Sequence, residues 1–130
     1  MLLTGCIHLA NIIANPRVQV LYIVEADTNK WEPVKLRWSL DTTTFVHPDN
    51  AEVVYNDKDV DACIISTPTF THEEFIVGSL EAGKAVFSEK PIAEDPSGTA
   101  RCYAKVGVIK LGFQTESNQM ELHFLHNYGF

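Results

Sequence analysis

The fold is decided by residues 60–92, which read VDACIISTPTFTHEEFIVGSLEAGKAVFSEKPI. An apolar run at residues 62–65 is typical of a buried strand, and it stops at the turn-forming residues 66–68. A helical pattern follows over about residues 72–82, and Gly83 ends it. We predict that these elements are the first strand and the helix of a strand–helix–strand unit.

A second strand completes the unit. The short apolar run at residues 85–87 breaks at Glu89, Lys90 and Pro91. In an open parallel sheet, ligands bind in the crevice at the carboxyl ends of the strands. Because residues 66–68 and the three residues from Glu89 to Pro91 both follow strands, we expect both segments to lie at such a crevice.

The two segments resemble motifs of a known family. Residues 66–68 (STP) precede His72 with the spacing of the pattern (S/T)-(T/S)-P-x-x-x-H, and residues 89–91 give the tripeptide EKP. Both motifs, in this order and at this separation, are carried by the Gfo/Idh/MocA family of NAD(P)-dependent oxidoreductases, which includes inositol and glucose–fructose dehydrogenases. The sequence resembles the N-terminal nucleotide-binding domain of this family over roughly residues 5–114.

Outside this segment the sequence continues to alternate between strands and helices. Helices are predicted over about residues 5–14, 29–40 and 96–105, with a helical turn at 49–56, and strands at 18–24, 42–46 and 107–113. This alternation predicts an α/β fold with a parallel sheet. The resemblance implies the same fold in a more specific form, a Rossmann-like parallel sheet with flanking helices.

The resemblance also implies that the first strand and most of the glycine-rich turn are missing. The family's dinucleotide fold begins with a strand and a G-x-G-x-x-G turn, which lets the backbone approach the pyrophosphate. Here only Gly5, three residues before His8, corresponds to a glycine of that turn, and residues 1–4 replace the strand. We therefore expect an incomplete dinucleotide-binding domain at residues 1–114 and a divergent C-terminal tail at 115–130.

Acidic side chains follow the predicted strand at residues 18–24. A carboxylate at this position can accept hydrogen bonds from the adenosine ribose hydroxyls, and it repels a 2′-phosphate. By resemblance, Glu25 takes the place of the family's ribose-binding acid and favours NAD over NADP as the cofactor; Asp27 is the alternative. Without the resemblance, the same pair predicts only a helix cap or solvated acids, and both interpretations stay open.

The next strand is also followed by residues that the resemblance assigns to the cofactor. They are Ser66, Thr67, Pro68 and His72. The residues alone predict an ordinary strand end, with Thr69 or Thr71 capping the following helix. A lone histidine is more often a packing or helix-terminal residue than a ligand, and we favour that interpretation for His72.

The most specific motif is Glu89-Lys90-Pro91. By resemblance, these residues line the nicotinamide end of the cofactor site, and Lys90 is the catalytic residue, placed to contact the reacting oxygen of the substrate. A lysine ammonium can polarise a carbonyl group at such a position. The bond before Pro91 is a candidate for the cis form. The residues alone predict an exposed turn with a solvated ion pair.

Composition limits the remaining classes of protein. The chain has 130 residues, 45% of them hydrophobic and 21% charged, which indicates one globular domain. Its net charge of −7 gives no electrostatic reason to bind nucleic acid or an anionic membrane. Three cysteines without a CxxC motif favour free thiols in the cytoplasm. His123 and His126 lack further ligands, so no metal site is expected.

The function implied by the resemblance is the NAD(P)-binding portion of an oxidoreductase. Such an enzyme transfers hydride between a nicotinamide cofactor and a polyol or a sugar-like alcohol or ketone, and we expect this chain not to be active alone. Two alternatives stay open. One is a non-catalytic interaction module that forms a homo-oligomer or pairs with a full-length family member, and the other is a truncated isoform without autonomous function.

Overall fold

A computed structural model describes residues 3–112 of the chain and the side chains of residues 5–106. The chain divides into two compact units, Met1–Val60 and Asp61–Phe130, which we call unit 1 and unit 2. Each unit contains one pair of parallel strands with helices between them. The predicted α/β class with parallel strands is therefore confirmed.

Unit 1 alternates between helices and short strands. Its elements are α1 (Leu3–Ile13), β1 (Tyr22–Val24), a 3-10 turn (Thr28–Lys30), α2 (Trp31–Trp38), β2 (Thr44–Val46), a second 3-10 turn (Pro48–Asn50) and α3 (Glu52–Asn56). Strands β1 and β2 are parallel, and Ile23 pairs with Phe45. The core joins one side chain from α1, one from β1 and one that follows α2, namely Leu9, Ile23 and Leu40.

Unit 2 contains the strand–helix–strand arrangement predicted for residues 60–92. Its elements are β3 (Ala62–Ile65), a 3-10 turn (Thr69–Thr71), α4 (His72–Glu81), β4 (Ala85–Ser88) and α5 (Pro96–Gly112). The two strands are parallel, with Cys63 opposite Val86. Ile65 of β3, Ile76 of α4 and Cys102 of α5 form the buried core of unit 2, and burying an isoleucine side chain contributes about 1.5–3 kcal/mol.

Local signals in the sequence set the ends of the two helices in unit 2. Gly83 follows α4 with a φ of 75°, a left-handed conformation that glycine adopts without steric cost. At the start of α5, the Asp95 carboxylate accepts the backbone N–H of Gly98 at 2.9 Å, and Pro96 occupies the first helical position. The helix end predicted at Gly83 is confirmed.

Two predicted strands differ from the structure. The prediction of a last strand over residues 107–113 is wrong, because residues 107–112 continue α5 and residue 113 lies outside the described part. Residues 106–112 contain no proline, and glycine inside a helix is tolerated. The strand predicted at residues 18–24 is confined to Tyr22–Val24, since its partner β2 is itself only three residues long.

No helix among residues 3–112 is both long enough and apolar enough to cross a membrane. The expected tail at residues 115–130, including His123 and His126, lies outside the described residues.

Candidate functional site

The carboxyl ends of β3 and β4 lie side by side in unit 2. Ile65 pairs with Ser88 at the last position of both strands. The backbone N–H of Glu89 donates to the Ile65 carbonyl at 2.9 Å, which extends the ladder by one step. Residues 66–68 and 89–91 therefore leave the sheet at the same edge, as the sequence predicted. We call them the STP loop and the EKP loop.

His72 connects these two loops. Its side chain is 1% exposed, at the first position of α4. The ring Nδ1 lies 2.8 Å from the carbonyl oxygen of Pro91, and Nε2 lies 2.9 Å from the carbonyl oxygen of Thr67. The buried ring thus has a polar contact with each loop. The sequence favoured His72 as a packing residue, and this interpretation accounts for the burial of the ring but not for its two polar contacts.

The STP loop is also held by its own hydroxyl groups. Thr71 Oγ1 donates to the Pro68 carbonyl at 2.8 Å and lies 2.7 Å from Thr67 Oγ1. The residue before α4 is Thr71, but its side chain makes no capping bond to the helix. The expectation that Thr69 or Thr71 caps α4 is therefore not met, because the Thr71 hydroxyl is used within the loop. Ser66 and Thr67 are half-buried.

The EKP loop presents its lysine to solvent. Lys90 is exposed, and the peptide bond between Lys90 and Pro91, a candidate for the cis form in the sequence, is cis. Ser88 Oγ donates to the Glu89 carbonyl at 3.1 Å. Within the described residues, the Lys90 ammonium forms no ion pair with a carboxylate, so the solvated ion pair that the sequence alone predicted is absent there.

In unit 1, Glu25 follows β1 directly and is held by several contacts. Its backbone N–H donates to the Val46 carbonyl at 3.1 Å, and its Oε1 accepts the backbone N–H of Asp27 at 3.0 Å. The indole Nε1–H of Trp31 donates to the Glu25 carbonyl at 3.0 Å, and the Trp31 ring lies 6.0 Å from the ring of Phe45. The half-buried Glu25 carboxylate therefore has a fixed position at the carboxyl end of β1.

Trp31 was missed by the sequence reasoning. No sequence pattern indicates that a tryptophan six residues after Glu25 will contact it. The hydrogen bond from the Trp31 indole to the Glu25 carbonyl depends on the conformation of the 3-10 turn at Thr28–Lys30. The supporting position of Phe45 likewise follows from the pairing of β1 with β2, which the sequence does not specify.

Asp27 has a different role from Glu25. Its carboxylate accepts hydrogen bonds from both the side chain and the backbone N–H of Asn29, each at 3.1 Å, and pairs with Lys30 at 3.3 Å. The hydrogen bond from the Asn29 side chain holds the pKa of Asp27 below its usual value. Asp27 is thus the cap of the 3-10 turn, one of the two interpretations that the sequence left open.

Gly5 lies inside the first turn of α1 and is buried. The backbone N–H of Gly5 is therefore one of the N–H groups in the first helical turn that have no carbonyl partner within the helix. Such a helix end attracts anions. Among the described residues, no three His, Cys, Asp or Glu side chains lie close enough together to hold a metal ion.

The parallel strand pairs, with helices between them and polar loops at the strand ends, are features of a Rossmann-type α/β fold. The family model described as an oxidoreductase family with an NAD-binding Rossmann fold (GFO_IDH_MocA) matches residues 4–107. The chain therefore belongs to the Gfo/Idh/MocA oxidoreductase family, and the resemblance noted in the sequence is confirmed.

Individual relatives agree with this family. The chain is 26% identical to the inositol 2-dehydrogenase of Rhizobium meliloti strain 1021, over 93% of this chain and 35% of that protein. Among solved structures, the apo scyllo-inositol dehydrogenase of Lactobacillus casei has a TM-score of 0.71 at 25% identity, covering 83% of this chain and 31% of that one. KijD10, a 3-ketoreductase from Actinomadura kijaniata in complex with NADP and TDP-benzene, has a TM-score of 0.65 at 26% identity, with 78% and 30% covered.

The chain spans only about a third of the length of these relatives. What it shares with them is the nucleotide-binding part.

Proposed function

We propose that this chain is the cofactor-binding portion of an oxidoreductase that transfers hydride between a nicotinamide dinucleotide and a polyol or sugar-like alcohol or ketone. The observation that carries the proposal is the pairing of β3 with β4, because it brings the STP and EKP loops to one edge of a parallel sheet. That edge is where open α/β sheets bind their ligands. We assign residues 1–114 to this portion and residues 115–130 to a divergent tail.

The contribution of unit 1 is recognition of the adenosine ribose. Glu25 fits this role because its carboxylate is half-buried, fixed by the Asp27 N–H and located directly after β1. A carboxylate accepts hydrogen bonds from ribose hydroxyls and repels a 2′-phosphate, so we propose NAD as the cofactor rather than NADP. Gly5, at the start of α1, is proposed to face the pyrophosphate through its backbone N–H.

The contribution of unit 2 is the nicotinamide end. We propose that the backbone of the STP loop lies along the cofactor and that Glu89, Lys90 and Pro91 form the surface beside the nicotinamide. The bound nicotinamide supplies or accepts the hydride. Lys90 is the proposed catalytic residue, since its exposed ammonium can donate a hydrogen bond to the reacting oxygen of an alcohol or ketone. His72 is proposed to act on this site through the two loops that it contacts.

The proposed substrate class rests on the names of the relatives, two of which are inositol dehydrogenases. The acidic chain is proposed to work in the cytoplasm, where its thiols stay reduced. We propose that this chain forms a homo-oligomer or pairs with a full-length family member, and only the latter would supply the part of the relatives' length that this chain does not span. We propose that this chain has no turnover by itself.

Isothermal titration of the purified chain with NAD⁺, NADP⁺ and ATP tests the proposed function. Saturable binding of NAD⁺ that is tighter than binding of NADP⁺ is the expected result. ATP serves as the control because it has the adenosine and the phosphates without the nicotinamide. Equal binding of all three nucleotides would contradict the assignment of the EKP loop to the nicotinamide, and the absence of any binding would contradict the proposal itself.

An interaction module is the second candidate. Ile64 of β3 is 45% exposed and Phe70 beside the STP loop is 69% exposed, so unit 2 has apolar side chains in contact with solvent. Sedimentation velocity over a range of protein concentrations distinguishes the two candidates. Dimerisation that is unaffected by NAD⁺, together with no heat of NAD⁺ binding, would favour the interaction module.

A further inference from the structure

We propose that His72 is a positioning residue that holds the STP loop and the EKP loop at a fixed separation through its two ring nitrogens. This inference rests on the proposed function, because it concerns the loops that we assign to the cofactor. It differs from a direct role in cofactor binding, since the ring is 1% exposed and both of its nitrogens face backbone carbonyls.

The start of α4 is a suitable place for such a residue. Side chains on a helix tilt toward its N-terminus, so a residue at the first helical position points back toward the strand end that precedes the helix. The imidazole of His72 therefore reaches Thr67, five residues earlier, with Nε2. The parallel pairing of β4 with β3 brings Pro91 to the opposite edge of the same ring, at Nδ1.

The chemistry of imidazole suits the contact with two loops. Its two nitrogens lie on different edges of one rigid plane, and each can carry a proton. A neutral ring donates to one of the two carbonyls and a doubly protonated ring donates to both. No other side chain of similar size offers two nitrogens in this arrangement, and a phenyl ring would fill the same space without any bond.

The contact between Nδ1 and the Pro91 carbonyl oxygen matters most for Lys90. Pro91 follows Lys90 directly, so anchoring the Pro91 carbonyl restricts the backbone from which the lysine side chain extends. A displacement of about 1 Å in a reacting group can reduce a rate by about a hundredfold. His72 thereby acts on the proposed catalytic lysine through the backbone, without touching the substrate or the cofactor.

Three variants of the full chain separate this role from simple packing. His72→Phe removes both polar contacts and keeps a planar ring, and His72→Gln keeps a side chain that can donate from one nitrogen. Ile76→Ala is the control, because Ile76 is 4% exposed in the same helix and belongs to the apolar core. That substitution removes packing without removing a hydrogen bond to either loop.

The first measurement uses NMR and does not depend on cofactor. In the unmutated chain, we expect at least one His72 ring N–H to be protected from exchange and coupled through its hydrogen bond to the Thr67 or Pro91 carbonyl carbon. In His72→Phe, the carbonyl carbon shifts of both Thr67 and Pro91 should change, whereas Ile76→Ala should leave them in place. A freely exchanging ring in the unmutated chain, or equal changes in both variants, would overturn the proposal.

The second measurement is the affinity for NAD⁺. His72→Phe should weaken binding by about tenfold, His72→Gln by less, and Ile76→Ala by no more than about twofold despite its loss of stability. If His72→Phe binds NAD⁺ as well as the unmutated chain does, the positioning role is overturned and the proposed function stands. If the unmutated chain shows the NMR signature but binds no NAD⁺, the contact with both loops is supported and the proposed function is overturned.

Discussion

Glu25 and Asp27 are two acids at the end of one strand with separate contacts. The Asp27 carboxylate caps the 3-10 turn, where it accepts the Asn29 N–H and pairs with Lys30. Glu25 is positioned by the Asp27 N–H and by the indole of Trp31. The sequence left open which of the two acids caps the following helix and which one faces the adenosine ribose, because both lie within three residues of the end of β1. The side-chain contacts of Asp27 support Glu25 as the ribose-binding acid in our proposal.

Substitution of Glu25 by glutamine tests this assignment. The amide retains the size of the side chain but removes the charge, so hydrogen bonds to the ribose hydroxyls should weaken and a 2′-phosphate should no longer be repelled. We expect the Kd for NAD⁺ to rise by about tenfold, while the Kd for NADP⁺ stays the same or falls. Titration calorimetry measures both affinities.

Glu32→Gln provides the matched control for this test. Glu32 lies in the first turn of α2, is exposed, and undergoes the same change of charge. If Glu32→Gln alters the preference for NAD⁺ as strongly as Glu25→Gln does, the effect comes from the net charge of unit 1 and Glu25 has no specific role.

Glu73 and Arg101 link α4 to α5 through two hydrogen bonds, one of them 2.9 Å between Oε2 and Nη2. The guanidinium holds the pKa of Glu73 below its usual value of 4.5. Because this carboxyl binds a proton more readily in the unfolded chain than in the folded one, its contribution to stability is present above pH 4.5 and is lost as pH falls through the lower folded pKa. We therefore expect acid to destabilise the chain in that window.

Urea unfolding at a series of acidic pH values measures this effect. Glu73→Gln should flatten the dependence of the unfolding free energy on pH, since it removes the titrating group. Glu74→Gln is the control, because Glu74 is the exposed neighbour in the same helix. A pH dependence that is unchanged in Glu73→Gln would show that the pair with Arg101 does not contribute.

Two positions in unit 2, one after α4 and one inside α5, require glycine for different reasons. Gly83 has a φ of 75° and open space around the position of a Cβ atom. Gly98 lies within α5, where a Cβ atom would come within 2.8 Å of the Ala93 Cβ and 2.7 Å of the Glu73 Oε2. The first position is restricted by its backbone conformation, and the second is restricted by its neighbours.

Alanine substitutions at the two glycines should both be destabilising. Gly83→Ala should cost about 1–2 kcal/mol because of the left-handed conformation. Gly98→Ala should cost about 1–3 kcal/mol from overpacking, although glycine to alanine in a helix interior normally stabilises by about 1 kcal/mol. Asparagine should recover part of the loss at position 83 and should be worse than alanine at position 98. Thermal unfolding monitored by circular dichroism measures these changes, and a stabilised Gly98→Ala would contradict the packing described for α5.

Much of the order of elements could be predicted from the sequence. The strand, helix and strand of residues 60–92 have clear local signals, such as Pro68 and Gly83, and these do not depend on distant contacts. The run at residues 107–113 was predicted wrongly because a short apolar segment fits a buried strand and a helix equally well. Its true state depends on whether a neighbouring strand is available to pair with it.

The candidate site was predicted only in part, for a related reason. The strand-end positions of Thr67, Lys90 and Glu25 follow from the pattern of apolar runs. The contact of His72 with both loops does not, since it requires the register of β3 against β4 and the direction of a side chain at the start of α4. The support of Glu25 by Trp31 depends in the same way on a turn whose geometry the sequence does not specify.

The chain spans about a third of the length of its relatives, and the part that it shares with them is the cofactor-binding part. We therefore expect NAD⁺ binding without turnover. Incubation of the chain with NAD⁺ and myo-inositol, followed by absorbance of the reduced nicotinamide, should show no reaction. A full-length inositol dehydrogenase is the positive control, and turnover by this chain alone would contradict the expectation that further protein is required.

We propose that the chain binds a nicotinamide dinucleotide at the carboxyl ends of its strands. The most direct measurement is a two-dimensional amide NMR spectrum of the full chain during titration with NAD⁺. We expect shifts at Glu25 in unit 1 and at Thr67 and Lys90 in unit 2, while Ala62 and Ala85 at the amino ends of β3 and β4 stay in place. A spectrum that NAD⁺ leaves unchanged, or shifts confined to the amino ends of the strands, would contradict the proposed binding.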